Sequence, residues 1–436
     1  MPSTNRRRFL AAAAALGVAG CVTHGDGVPT GTETTHGSAT STGTRSRVTS
    51  ENPTTSTTTY RTTGSDVDER VDAKPPGDPA LPTDGGDWPQ EGYDAARTGY
   101  WPDGDPVEGV DAYWTLDAGG EGAVVDDSVV NVHGRADGQP LTVRDPGTAE
   151  VRRASSLVEY GVNSSPAVAD GVVVVTTFIE AFAYDLETGD LAWRGPEMDG
   201  IHGAPTVADG TVYVASGGYQ GVPAQVRAFD LADGTERWRR ELETTRTGSV
   251  AVGGGVAYVQ SRDGLHAFDA ESGNVVFERS DLRNGSWVDP VVGDDHAFTV
   301  DDDDLVAVDA GSGEEAWRVN DADFSGTPVL ADGELYAGTD GDVGAYAAAD
   351  GSEQRTFYGG KPLARVDDVL YVANDPRGRI QAVSVADGDD QMLWSYTTPE
   401  VQISDTINRT VYGITPLDGA LWVHAADGVH GLAPPQ

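Results

Sequence analysis

The residues of this chain that could do chemistry are few and scattered. One cysteine, Cys21, stands in 436 residues, so neither a disulfide framework nor a thiolate metal site can form within the chain. Histidines 133, 202, 266, 296, 424 and 430 lack the HxxxH and HExxH spacings that put two imidazoles on one helix face for zinc. Several could still meet near a central axis, whereas His266, beside Ala267-Phe268, reads as a strand residue. Asp301-Asp302-Asp303-Asp304 could offer carboxylates to a hard cation. The four lie between Phe298-Thr299-Val300 and Leu305-Val306-Ala307-Val308, however, where an exposed turn is expected. Ser164-Ser165-Pro166 has no GxSxG elbow to activate a serine, and Gly253-Gly254-Gly255 needs no phosphate to explain it. Asn163, Asn284 and Asn408 open N-glycosylation sequons. Little here points to catalysis.

What could position such residues is a repeat. The turn residues Asp126, Asp170, Asp209, Gly254, Asp294, Asp332, Asp367 and Asp418 recur about every 42 residues, the length of one four-stranded propeller blade. Each sits between two β-rich runs, as in 167–175 and 206–214, and Asp-Gly between such runs signals a hairpin. The second half of each unit agrees. Ala183-Tyr184-Asp185 leads through Gly189 to Trp193, and Ala228-Phe229-Asp230 through Gly234 to Trp238. Ala267-Phe268-Asp269 leads through Gly273 to Phe277, and Ala307-Val308-Asp309 through Gly313 to Trp317. Glycine falls four residues after the aspartate and the aromatic eight after it. Glycine supplies a left-handed turn corner and aspartate bonds back to turn amides. Phe357 and Trp394 lie two residues further out, and the first unit offers only Val151. The last unit ends before an outer strand could form, and Ala112-Tyr113-Trp114-Thr115-Leu116 has that strand's character. It is expected to complete the last blade and leave no open edge.

The expected fold is therefore all-β: an eight-bladed β-propeller of four-stranded antiparallel blades over residues 86–436, preceded by a signal peptide and a disordered stalk. Residues 21–85 are rich in Thr, Ser, Gly, Pro and Asp, and cannot bury enough apolar surface to offset their ordering entropy. Twenty-nine Lys+Arg against 70 Asp+Glu give a net charge of −41, which repels nucleic acid. Lys74 and Lys361 are the only lysines, a style similar to that of proteins from extreme halophiles.

Residues 1–20 resemble a twin-arginine export signal that ends in a lipobox. Arg6 and Arg7 precede Phe9-Leu10 and an alanine-rich run too short to span a bilayer. Val18-Ala19-Gly20 places Cys21 at the lipidation position. That resemblance implies a lipid-anchored protein on the extracellular face of the cell membrane.

The repeat itself resembles the PQQ-like propeller unit, shared by quinoprotein dehydrogenases and the assembly lipoproteins of the BamB family. The resemblance implies that Trp114, Trp193, Trp238, Phe277, Trp317, Phe357 and Trp394 dock between neighbouring blades. It implies a non-catalytic monomer that binds a protein, peptide or glycan at its loops or central channel, without cofactor. The alternative is a PQQ-dependent dehydrogenase-like oxidoreductase. Those enzymes hold their quinone against paired cysteines and calcium, and this chain has no cysteine after Cys21.

Overall fold

The computed structural model describes Thr57–Arg61, Val67–Val71 and residues 79–436, apart from 84, 117–121, 133–139, 157–161, 163, 199, 202, 220–221, 285–287, 321–322, 340, 375–377, 387–389, 404–405 and 409. Arg6, Arg7 and Cys21 lie outside the described residues, as do His133 and His202.

Eight antiparallel blades close into a ring, with no α-helix among the described residues. Blade 1 runs from Gly122–Asp126 to Val151–Ser156, blade 2 from Ala167–Ala169 to Leu191–Arg194, and blade 3 from Thr206–Ala208 to Glu236–Leu242. Blades 4 to 7 follow, opening on Thr247–Gly253, Val291–Val292, Ser325–Ala331 and Lys361–Val366. Blade 8 takes Val411–Leu417, Ala420–Ala425 and Gly428–Ala433 from the C-terminus, and Asp111–Leu116 pairs antiparallel with the last of these. The ring is thus closed by an early strand completing the late blade. The first strands of successive blades touch one another all the way round, so they line the axis. Thr57–Arg61 adds to the outer edge of blade 7, beside Trp394–Thr397, and pairs with Val67–Val71.

The turn chemistry explains the period. Asp170 and Gly171 adopt φ 49° and 73°, Asp209 and Gly210 47° and 68°, and Gly254 and Gly255 58° and 79°, the left-handed pair that a tight hairpin requires. At the next corner Asp269 Oδ1 accepts from Ser272 N at 2.8 Å, and Asp309 Oδ1 from Ser312 N at 2.8 Å. The serine hydroxyls and turn amides hold both carboxyls below the usual range. The core lies in the seams between blades. Val130, Leu141, Val173 and Phe182 fill one seam; Ala257, Val259, Ala228 and Trp238 fill another.

Candidate functional site

Before the first blade begins, residues 85–105 run round the axis and touch all eight blades. Gly86–Trp88 pairs antiparallel with the first strand of blade 1. Pro89 O then accepts from Val168 N at 2.7 Å, and Gln90 Oε1 from Val207 N at 2.8 Å. Ala95 O accepts from Val252 N at 2.6 Å, Ala96 O from Val292 N at 3.0 Å, Thr98 O from Leu330 N at 2.8 Å and Gly99 O from Arg365 N at 2.8 Å. Each of these donors lies two residues before its blade's hairpin turn. In blade 8 that position is Pro416, which has no N–H, and Gly85 O and Asp105 O accept instead from Asp418 N and Gly419 N. Inner-strand amides have no further strand to pair with, and unpaired buried N–H groups are costly. The segment satisfies them in blade order and plugs one end of the channel.

Its own conformation is held tightly. Tyr93 stacks on Trp101 at a centroid distance of 6.4 Å and meets Trp88, tilted, at 5.3 Å. Tyr93 and Arg97 both adopt left-handed φ, 70° and 58°. The Asp94 carboxylate accepts from Thr98 N at 2.9 Å and Thr98 Oγ1 at 2.7 Å, while burial pushes its pKa up.

Behind the plug lies a polar girdle, three residues before the plug-bonded amides of blades 3, 4 and 5. Ala204 N donates to Ser249 Oγ at 3.1 Å, Ser249 N to Asp289 Oδ1 at 2.6 Å and Asp289 N to Thr327 Oγ1 at 3.2 Å. In blades 3, 4 and 5 the amide at this position is thus satisfied by the next blade's side chain. Arg97 joins plug to girdle: its guanidinium, 3% exposed, pairs with Glu91 and, at 2.8 Å, with Asp289. Ser165, singled out in the sequence without a role, donates to Glu91 at 3.0 Å.

The seams show where the aromatics go. Trp193 Nε1 donates to Leu231 O at 2.7 Å, Trp238 Nε1 to Ala270 O at 2.8 Å, Trp317 Nε1 to Ala348 O at 3.0 Å and Trp114 Nε1 to Gly147 O at 2.9 Å. Trp394 Nε1 reaches Val107 O. Phe277 packs on Gly313, where a Cβ would lie 2.4 Å from its ring. Pairing places Trp193, Trp238, Phe277 and Trp317 opposite the third-strand alanine of their own blades. Blade 6 carries a different residue at this register. Arg355, not Phe357, stands opposite Ala345 and reaches Asp390 of blade 7 at 2.7 Å. Phe357 pairs opposite Val343 and meets the blade 6–7 cluster from there. In blade 1 the position belongs to Arg153, opposite Val143, and not to Val151, which is 48% exposed.

The remaining candidates are tied up within the protein. Arg318 pairs with Asp301 at 2.7 Å and Asp304 at 3.0 Å, so an internal guanidinium supplies the charge that a cation would bring to the aspartate turn. Among the described residues no group of three His, Cys, Asp or Glu side chains converges as for a metal. His266 bonds Ser261 at 3.1 Å, and burial lowers its pKa. His430 is buried between Asp427 and Tyr396, both at 2.9 Å, and His424 bonds Thr415 at 2.8 Å.

Solved structures with this architecture fall into different functional classes. BamB from Moraxella catarrhalis is 15% identical with TM-score 0.56, over 74% of this chain and 99% of that one. Quinohemoprotein alcohol dehydrogenase from Comamonas testosteroni is 14% identical with TM-score 0.60, over 80% and 82%. The computationally designed Ika8 protein is 14% identical with TM-score 0.59, over 77% and 99%. At such identity these likenesses show the fold alone. The plugged end of the axis does not fit the carboxylated quinone of a quinoprotein. Residues 85–105 fill one end, and the guanidinium facing it, Arg97, is held by Glu91 and Asp289. No curated protein matches the chain. The family model of the outer membrane protein assembly factor BamB matches residues 126–224 and 222–354, more than half of the chain. By its repeats and its ring, the chain belongs to the family of the outer membrane protein assembly factor BamB.

Proposed function

We propose that this protein is a non-catalytic binding scaffold, held at the outer face of the cell membrane by lipid on Cys21, that engages a protein, peptide or glycan through the ring face opposite the plug. The observation that carries this reading is the plug itself: the chain's own residues 85–105 take up the inner-strand amides and close one end of the axis. The opposite face is built from the turns between second and third strands and the connections between blades. Phe178 and Tyr219 meet edge to face there at 5.4 Å, and Tyr358 and Tyr412 are 52% and 55% exposed. Exposed aromatics with polar surroundings are the residue types that anchor partners. A name drawn from outer-membrane assembly agrees with an envelope role.

Proximity labelling from the native surface tests the reading. Tyr219→Ala with Tyr412→Ala should lose the labelled partner, and Asp209→Asn on the plug face should keep it; identical labelling of both variants overturns it. For catalysis, PQQ and calcium are titrated with a dye-linked assay, and stoichiometric quinone binding would exclude a purely scaffolding role. Cys21→Ser should release the protein into the medium.

A further inference from the structure

Four seams share one socket. Gly234, Gly273, Gly313 and Gly351, all at left-handed φ, lie against Trp193, Trp238, Phe277 and Trp317 of the preceding blade, where a Cβ would come within 2.4–2.7 Å of the ring. For the three indoles, the carbonyl at the start of the same turn accepts the Nε1–H. Between blades 1 and 2 the socket is built in the same way but holds no ring. Gly189 has φ +75°, Leu186 O is the matching carbonyl, and the facing residue is Arg153. The arginine stem lies on Gly189, with Cδ 3.1 Å from where a Cβ would sit; Ser155 Oγ lies nearer, at 2.3 Å, and donates to Gly189 O, while Arg153 Nη1 donates to Leu186 O.

A three-carbon stem does not fill the width of an indole. A cleft of about 590 Å³ remains between the two blades, with Val125, Val143, Val172 and Leu186 among its lining. Its rim carries Asp126, Asp127, Asp170 and Glu187, all exposed. The second arginine, Arg152, is committed to Asp127 at 3.0 Å and Asp145 at 2.7 Å. A slot with valine and leucine in its wall, a carbonyl now held by Arg153 and an acidic rim suits a flat aromatic ring that carries positive charge.

We propose that the blade 1–2 cleft is a tryptophan socket held by Arg153 in place of a ring, and that it receives an indole side chain flanked by a basic residue on a partner polypeptide, which displaces the Arg153 guanidinium from Leu186 O. It opens on the side of the hairpin turns, away from the face assigned above, so either assignment can fail alone.

The test titrates tryptamine and indole-3-acetate into the full chain, followed by ligand-observed NMR at the lowest salt that keeps the protein folded. Tryptamine should bind saturably at one site, with indole-3-acetate about tenfold weaker or more. Arg153→Trp fills the socket from within and should abolish tryptamine binding. Asp170→Asn with Glu187→Gln changes only exposed rim charges and should weaken binding severalfold, which keeps the test decisive if Arg153→Trp does not fold. Absence of saturable tryptamine binding, equal affinity for the two probes, or tryptamine binding unchanged in either variant overturns the proposal.

Discussion

The seam between blades 3 and 4 and the seam between blades 1 and 2 are built on one backbone plan with different side chains. In the first, Trp238 is 6% exposed, bonds Ala270 O, and meets Tyr213 and Phe268 at 6.0 and 6.2 Å. In the second, Arg153 reaches the equivalent carbonyl from the equivalent register and leaves a cleft. The register shift between third and fourth strands occurs in both blades, and the turn glycine is left-handed in both. Backbone turns therefore set the spacing of the ring, while the docking side chain sets how tightly each seam is filled.

If that division holds, removing the ring-closing aromatic should have the largest effect. Trp114 is fully buried, crosses Trp422 edge to face at 5.1 Å, and sits on the strand that completes blade 8. Trp114→Ala should cost about 4 kcal/mol through lost burial and the cavity left behind, read from the denaturant midpoint. A loss below about 1 kcal/mol would mean that closure does not depend on this contact.

Next, Trp238→Ala and Arg153→Ala test the comparison head on. The first should cost about 3 kcal/mol and the second less than about 1. Equal losses would show that the cleft seam is as tightly packed as the indole seam.

The difference between the two seams also explains what could be read from the sequence. The hairpin turns were legible because Asp-Gly and Asp-x-x-x-Gly answer local demands for left-handed corners and capped amides. Arg355 was not, because a search for aromatics finds Phe357. Counting from the third-strand alanine would have found it, since Trp193, Trp238, Phe277 and Trp317 each follow that alanine by ten residues, as Arg355 follows Ala345 and Arg153 follows Val143. The plug was invisible for a different reason. It acts largely through the carbonyls of Pro89, Ala95, Ala96, Thr98 and Gly99, and backbone acceptors leave no side-chain signature.

Acid should weaken the closing blade in particular. His424 is buried, and desolvation, with nearby His430 adding, pushes its pKa down to about 3. The unfolded chain binds a proton at this imidazole below about pH 6.5 and the native chain does not until about pH 3, so stability present at neutral pH is lost as pH falls. The slope from this group is at most about 1.4 kcal/mol per pH unit, or roughly 2 kcal/mol by pH 5. His424→Gln should flatten that part of the acid limb, measured as denaturant midpoints between pH 5 and 7. Parallel limbs in variant and wild type would assign acid sensitivity to the carboxylates.

The smallest and most discriminating effect comes from placing tryptophan in the two arginine seams. At blade 1 the socket has its glycine, its carbonyl and free volume, and Arg153 has no carboxylate hydrogen-bonded to it that would be stranded. Arg153→Trp should therefore gain about 1 kcal/mol by filling the cleft. At blade 6, Arg355 is held by Glu334 at 2.8 Å and Asp390 at 2.7 Å, which are only 25% and 16% exposed, and it lies over the Tyr336 ring at 5.9 Å. Arg355→Trp strands two half-buried carboxylates, and their lost partner should outweigh the added ring by about 1 kcal/mol. Opposite signs at the two seams would show that arginine fills a vacancy at blade 1 and builds an ionic joint at blade 6. A gain at both would mean that every seam of this ring prefers an indole.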